Sequence, residues 1–181
     1  MNLPNLITIA RILLVPVIVW AIISGEMRVA FAIFLVAGLS DAVDGFLAKR
    51  FDMVSEIGSY LDPLADKALL MSIYVALGIA EAVPAWLVIL IVSRDIMIIA
   101  GVMLSWLVGN PVQMKPHPVS KLNTVAQIAY ACLVLASLGF RFDAGVAGTI
   151  ALAVVATLTL LSVGFYVREW VRHVNGAEGS R

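Results

Sequence analysis

Apolar residues come in runs about as long as a bilayer is thick, and nothing else in the sequence constrains the fold as strongly. Of 181 residues, 62% are hydrophobic and 13% charged, with a mean hydropathy of +1.02. A soluble domain carries ~45–50% apolar and ~25% charged residues, so composition alone marks a membrane protein. A helical span needs about 20 residues, which fits six spans with little chain left outside the bilayer. The expected helices cover about Leu3–Ser24, Arg28–Lys49, Met53–Ala80, Ala85–Val108, Val119–Phe140 and Ala144–His173. The breaks between them are Gly25–Arg28, the charged link Arg50-Phe51-Asp52, Glu81–Pro84, and a linker holding Pro111, Pro116 and Pro118. Proline cannot donate to a helical ladder, so that last linker is not helical throughout. The reading is an all-α integral membrane protein of six transmembrane helices. It forms a single domain over residues 1–175, with a polar, frayed tail at 176–181.

Lys and Arg set the orientation. Lys49, Arg50, Lys115, Lys121, Arg168, Arg172 and Arg181 fall on the side of the N-terminus, and only Arg28 and Arg141 on the other. Both termini are therefore expected in the cytoplasm. Formal net charge is zero, so no attraction to nucleic acid is implied. Cys132, the single cysteine, excludes an intrachain disulfide and is expected to be a buried, inert thiol. The N-terminus lacks a basic signal-peptide region and an organelle-type leader, which points to a bacterial inner (plasma) membrane.

Against this apolar background stands Asp41–Lys67, DAVDGFLAKRFDMVSEIGSYLDPLADK. Each charge near mid-bilayer costs at least about 2.5–3.5 kcal/mol on insertion scales, so Asp41, Asp44, Asp62 and Asp66 are expensive. Asp41 and Asp44 are three apart and Asp62 and Asp66 four apart, placing each pair on one helix face. A hairpin folded at residue 53 sets Asp44 opposite Asp62 and Asp41 opposite Asp66. The resulting carboxylate cage lies ~13–18 Å from the turn and opens to the cytoplasm. Four carboxylates in a low-dielectric site repel unless neutralised. Two hard divalent ions, Mg²⁺ or Mn²⁺, would balance them and clamp the oxygens of a phosphorus displacement. Gly45 and Ala48 share a face with the first pair, and Gly58 precedes Asp62 by one turn, so a diphosphate could approach the backbone closely. Close helix packing is the alternative reading of these small residues. Pro63 is expected to strain Asp62 away from α geometry and free nearby carbonyls.

Asp41-x2-Asp44-Gly45-x2-Ala48 followed by Gly58-x3-Asp62-x3-Asp66 closely resembles the signature of the CDP-alcohol phosphotransferase family, whose core is six transmembrane helices, usually dimeric. An arginine normally follows the alanine; here Lys49 stands there with Arg50 next, keeping the charge but not the bidentate fork. The resemblance implies metal ligation by Asp41, Asp44, Asp62 and Asp66. It implies a CDP pocket at Asp41, Gly45, Ala48, Lys49, Gly58 and Asp62. It also makes Asp66 the general base for an acceptor hydroxyl that displaces CMP from CDP-diacylglycerol.

Arg94 lies in the apolar run VILIVSRDIMIIAGVML and needs an anionic partner, either a substrate group or Asp95. Adjacent helical residues, however, point apart. Ser120 and Lys121 open a helix toward the cytoplasm, where an acceptor phosphate could bind. The alternative is an ordinary positive-inside anchor. His117, between two prolines, reads as an exposed interfacial residue. Arg11 is expected either to snorkel to headgroups or to line the substrate entry. Arg94-Asp95, Met114-Lys115-Pro116 and Ser120-Lys121-x-Asn123-Thr124-x2-Gln127 look most like the eukaryotic-type cardiolipin synthases, which join CDP-diacylglycerol to phosphatidylglycerol. Phosphatidylglycerophosphate synthases, which use glycerol 3-phosphate, are the nearest alternative. A cation channel or transporter built on intramembrane carboxylates is an alternative of another class.

Overall fold

The computed structural model describes the backbone of residues 3–51, 56–107 and 118–178, and the side chains of residues 9–40, 66–100 and 118–168. Within these the chain is all helical: α1 (Leu3–Ile23), α2 (Met27–Phe51), α3 (Glu56–Ile79), α4 (Ala85–Leu107), α5 (Pro118–Phe140) and α6 (Gly145–Glu178). The six expected helices are all present, with ends shifted by a few residues. The largest shift is at α6, which stays helical to Glu178, past Gly176 where fraying was expected. The turn at residues 52–55 and the linker at 108–117, with His117 and Lys115, lie outside the described residues.

One correction concerns Pro63. α3 is continuous from Glu56 to Ile79, so Asp62 keeps helical backbone rather than being strained out of it. α1 likewise runs through Pro16. A proline forfeits one helical hydrogen bond, but neighbouring groups and small local adjustments let membrane helices absorb that loss without breaking.

Three helices end by the same device. After α1, Glu26 N–H donates to the Ala21 carbonyl (2.8 Å) and Gly25 N–H to Ile22 (3.1 Å), with Gly25 at φ 78°. After α3, Ala82 donates to Leu77 (2.9 Å) and Glu81 to Gly78 (3.1 Å), with Glu81 at φ 56°. After α5, Phe142 donates to Ser137 (3.1 Å), with Arg141 at φ 57°. This closing turn satisfies orphan carbonyls through a left-handed residue, for which glycine carries no Cβ penalty. Only the first of the three turns uses one.

The chain divides into two compact units, Met1–Ala85 with Ala131–Gly145, and Trp86–Tyr130 with Val146–Arg181. In the first, α1 packs on both α2 and α3, around Ile18, Ile22, Phe34, Ile73 and Leu77. Arg28 closes this unit near its surface. Its Nε donates to the Gly139 carbonyl (2.6 Å), and its guanidinium lies over Phe140 at 5.8 Å. Gly139 lets the two segments approach closely, since a Cβ would stand 3.2–3.3 Å from the Arg28 backbone, close enough that the neighbour must give way slightly.

In the second unit Leu87, Ile91 and Val155 are buried together with an unusual share of polar groups. Among the described residues, the buried polar side chains there are Arg94, Asp95, Asn123, Gln127, Thr159 and Ser162, whereas Arg11 is the only one in the first unit. The outer surface is apolar instead, with Leu13, Trp20, Ile79, Ile89 and Val146 all exposed. Polar groups inside and apolar groups outside suit lipid rather than water as the surrounding solvent. Among the described residues, α5 and the Gly145–Arg168 part of α6 are long and apolar enough to cross a membrane.

Candidate functional site

The aspartate segment is helical on both sides of its turn. Asp41, Asp44, Gly45, Ala48 and Lys49 lie in α2, and Gly58, Asp62 and Asp66 in α3. The expected one-turn spacing within each pair is therefore set by real helix. Of these residues only Asp66 falls within the described side chains. Among the described residues there is no group of three or more His, Cys, Asp or Glu, and three of the four aspartates lie outside that set.

What is described of the segment was not foreseen. Arg11, from α1, pairs with the Asp66 carboxylate through Nη1 and Oδ1. Arg11 is 3% exposed, so of its two expected roles, snorkelling to headgroups or lining the substrate entry, the first does not fit. A guanidinium buried this deeply must be compensated, and a carboxylate on the neighbouring helix does so. Asp66 keeps 44% of its side-chain surface exposed, so it can be paired and still be reached.

The second unit gathers a different group. Arg94 on α4 is 1% exposed and uses every side of its guanidinium. Nη1 donates to Asp95 Oδ1 (2.5 Å). Nε and Nη2 donate to the Ser162 hydroxyl of α6 (3.1 and 3.0 Å). Nη2 also donates to the Ser120 hydroxyl in the first turn of α5. The Tyr166 ring lies 5.9 Å from the guanidinium carbon. Asp95 is thus the partner, although neighbouring helical residues start about 100° apart; a long arginine side chain curls back far enough to meet a short aspartate. Ser120 is followed by exposed Lys121, so two residues singled out for phosphate binding sit at connected positions.

Below them Thr159 of α6 is fully buried beside Asn123 of α5. Its single hydroxyl proton has two acceptors in reach, the Val155 carbonyl (2.7 Å) and Asn123 Oδ1 (2.9 Å). Asn123 Nδ2 is buried without a partner among the described residues. Turning that amide by 180° would let Nδ2 donate to the Thr159 oxygen and remove the competition.

Thr159 and Ser162 are the residues that sequence reasoning missed. Their signal was present: positions 159, 162 and 166 recur at helical spacing within the largely apolar first two-thirds of α6, marking one inward polar stripe.

Known proteins place this architecture. The human cardiolipin synthase (CMP-forming) is 35% identical over 157 residues, covering 78% of this chain and 52% of that protein. A cardiolipin synthase (CMP-forming)/mitochondrial hydrolase fusion protein of Schizosaccharomyces pombe is 32% identical over 180 residues, 91% of this chain and 30% of its own. The CDP-diacylglycerol–glycerol-3-phosphate 3-phosphatidyltransferase of Bacillus subtilis is 33% identical over 177 residues, 89% of this chain and 91% of that enzyme. The chain thus spans about half or less of the eukaryotic relatives and nearly all of the bacterial one. The family model for CDP-alcohol phosphatidyltransferase matches residues 1–164, which take in both aspartate pairs, Arg11, and Arg94 with its partners Asp95, Ser120 and Ser162: the chain belongs to the CDP-alcohol phosphatidyltransferase family.

Proposed function

We propose that this chain is a membrane phosphatidyltransferase that moves the phosphatidyl group of CDP-diacylglycerol to the hydroxyl of phosphatidylglycerol, giving cardiolipin and CMP. Asp41, Gly45, Ala48, Lys49, Gly58 and Asp62 hold the CDP end. Asp41, Asp44, Asp62 and Asp66 hold two divalent ions, Mg²⁺ or Mn²⁺. The fit rests on a donor set of hard carboxylate oxygens at one-turn spacing on helical backbone, which is the chemistry such ions take. Bound there, the ions would neutralise the diphosphate and the departing CMP. Asp66 takes the proton of the acceptor hydroxyl as its oxygen attacks the phosphorus on the lipid side of the diphosphate. A new P–O bond forms, the P–O bond to CMP breaks, and the half-open Asp66 side chain suits that task.

The observation that supports a phosphate-bearing acceptor is the hydrogen bond from Arg94 to Ser120. It brings a buried cation to the first turn of α5 beside Lys121, where helix N–H groups also favour an anion. Arg94 and Lys121 would together take the acceptor phosphate, which exchanges with the Ser120 hydroxyl on Nη2. Phosphatidylglycerol is preferred on the likeness of Arg94-Asp95, Met114-Lys115-Pro116 and the Ser120–Gln127 segment to the cardiolipin synthases; overall identity does not separate the two acceptors, at 35% for the human cardiolipin synthase and 33% for the Bacillus transferase. Glycerol 3-phosphate is the second reading, favoured by the 33% identity to the Bacillus transferase over 89% of this chain. All the relatives named above are synthases or transferases, and none supports a cation channel.

The apolar exterior and the Lys/Arg bias support six spans with both termini and the active site on one side of the membrane, the side rich in Lys and Arg. The homodimer follows from the family resemblance. Incubating the purified protein with labelled CDP-diacylglycerol and either phosphatidylglycerol or glycerol 3-phosphate tests the assignment. Labelled cardiolipin is expected. Phosphatidylglycerophosphate instead would transfer the assignment to the second reading, and transport without CMP would overturn both.

A further inference from the structure

We propose that Arg11 is a positioning residue for the transfer: it fixes the Asp66 carboxylate so that the base faces the acceptor hydroxyl with its reach and direction already set. The proposal rests on Asp66 acting as the base, as argued above. Arg11 is the single charge in α1, a helix otherwise apolar from Leu3 to Ile23 apart from Asn5 and Thr8. It is buried to 3%, so neither a headgroup nor bulk water accounts for its retention in an apolar helix. Its Nη1 donates to one oxygen of Asp66, Oδ1. That bond crosses from α1 to α3, and both helices lie in the same compact unit, so it ties the acid to a second rigid element. A carboxylate alone on a helix turns about two side-chain torsions, whereas one held at Oδ1 keeps its other oxygen in one direction.

The asymmetry of exposure separates this pair from a purely architectural one. An ion pair kept only for packing has no reason to leave 44% of the acid's side chain open. Lysine supplies the charge but not the planar fork, so Arg11→Lys should keep the fold and lose the alignment. Misplacement of a reacting group by about 1 Å costs on the order of 100-fold in rate.

The test compares Arg11→Lys, Arg11→Met, Asp66→Asn and the double variant Arg11→Met/Asp66→Asn in detergent. Three readouts are taken: CMP-release kinetics, Mn²⁺ binding by electron paramagnetic resonance, and thermal melting. For Arg11→Lys, kcat per Mn²⁺-binding molecule should fall about 10- to 100-fold, with KM for CDP-diacylglycerol and Mn²⁺ stoichiometry unchanged. The double variant should melt higher than Arg11→Met, because removing the acid's charge relieves the unpaired site. A merely structural Arg11 would reduce the fraction of molecules binding Mn²⁺ and leave kcat per binding molecule at the wild-type value, which overturns the proposal. Strictly additive melting shifts in the cycle would overturn it as well. Turnover surviving in Asp66→Asn would remove the base itself, and that failure is distinct from a dead Asp66→Asn beside a fully active Arg11→Lys.

Discussion

Two buried arginines, one in each compact unit, meet their carboxylates in opposite ways. Arg94 and Asp95 have side-chain exposures of 1% and 3%. Hydroxyls from α5 and α6 complete the guanidinium, so the pair is sealed and over-determined. Arg11 is equally buried, but its partner Asp66 stays 44% open. A sealed pair has both charges desolvated and serves architecture first, because a substrate must displace something to reach it. A pair with one open member holds an acid in place and leaves it available for chemistry. Arg28 gives the third case: exposed, bonded to a carbonyl and an aromatic face, it closes a surface contact at little desolvation cost.

The comparison can be broken or sharpened at four places. Asp66→Asn should have the largest effect on turnover, reducing CMP release by at least about 100-fold while CDP-diacylglycerol binding is kept; its melting temperature should fall as well, because Arg11 is left buried without its carboxylate. Full turnover in that variant would make the open pair as architectural as the sealed one. Asp95→Asn should act on stability instead. Leaving the Arg94 charge buried without its carboxylate costs about 3–5 kcal/mol, read as a large fall in melting temperature, and an unchanged melt would show that the pair is not sealed in solution. Lys121→Ala, on an exposed residue, should raise the acceptor KM about tenfold, the loss of one charge-assisted hydrogen bond, with melting and the KM for CDP-diacylglycerol unaltered. Gly139→Ala should have the smallest effect, because its Cβ meets Arg28 backbone at 3.2 Å. A destabilisation of about 1 kcal/mol is expected, visible in the melt and absent from the kinetics.

The helices were legible because span length and proline punctuation are properties of the chain itself. Their endings were less so: Glu81 and Arg141 adopt the left-handed turn that glycine would announce, and no local pattern distinguishes them from other polar residues. Pro63 misled, since a proline signal carries no information about the packing that lets α3 run through it. The aspartate spacing was readable because a charge in an apolar helix stands out without any knowledge of its surroundings. The partners were not. Arg11 and Asp66 are 55 residues apart, and Arg94 reaches Ser162 across 68, distances that only tertiary packing resolves. Arg94–Asp95 was discounted on backbone direction, whereas side-chain length decided it.

The central claim is that the aspartate segment performs metal-dependent phosphatidyl transfer with Asp66 as its base. It is tested most directly by CMP release from CDP-diacylglycerol in the presence of phosphatidylglycerol, measured before EDTA, after EDTA, and after Mg²⁺ is restored, in the wild type and in Asp66→Asn. The account predicts release that stops on chelation, returns with Mg²⁺, and is absent from Asp66→Asn throughout. Release that persists in EDTA, or that Asp66→Asn sustains, would contradict it.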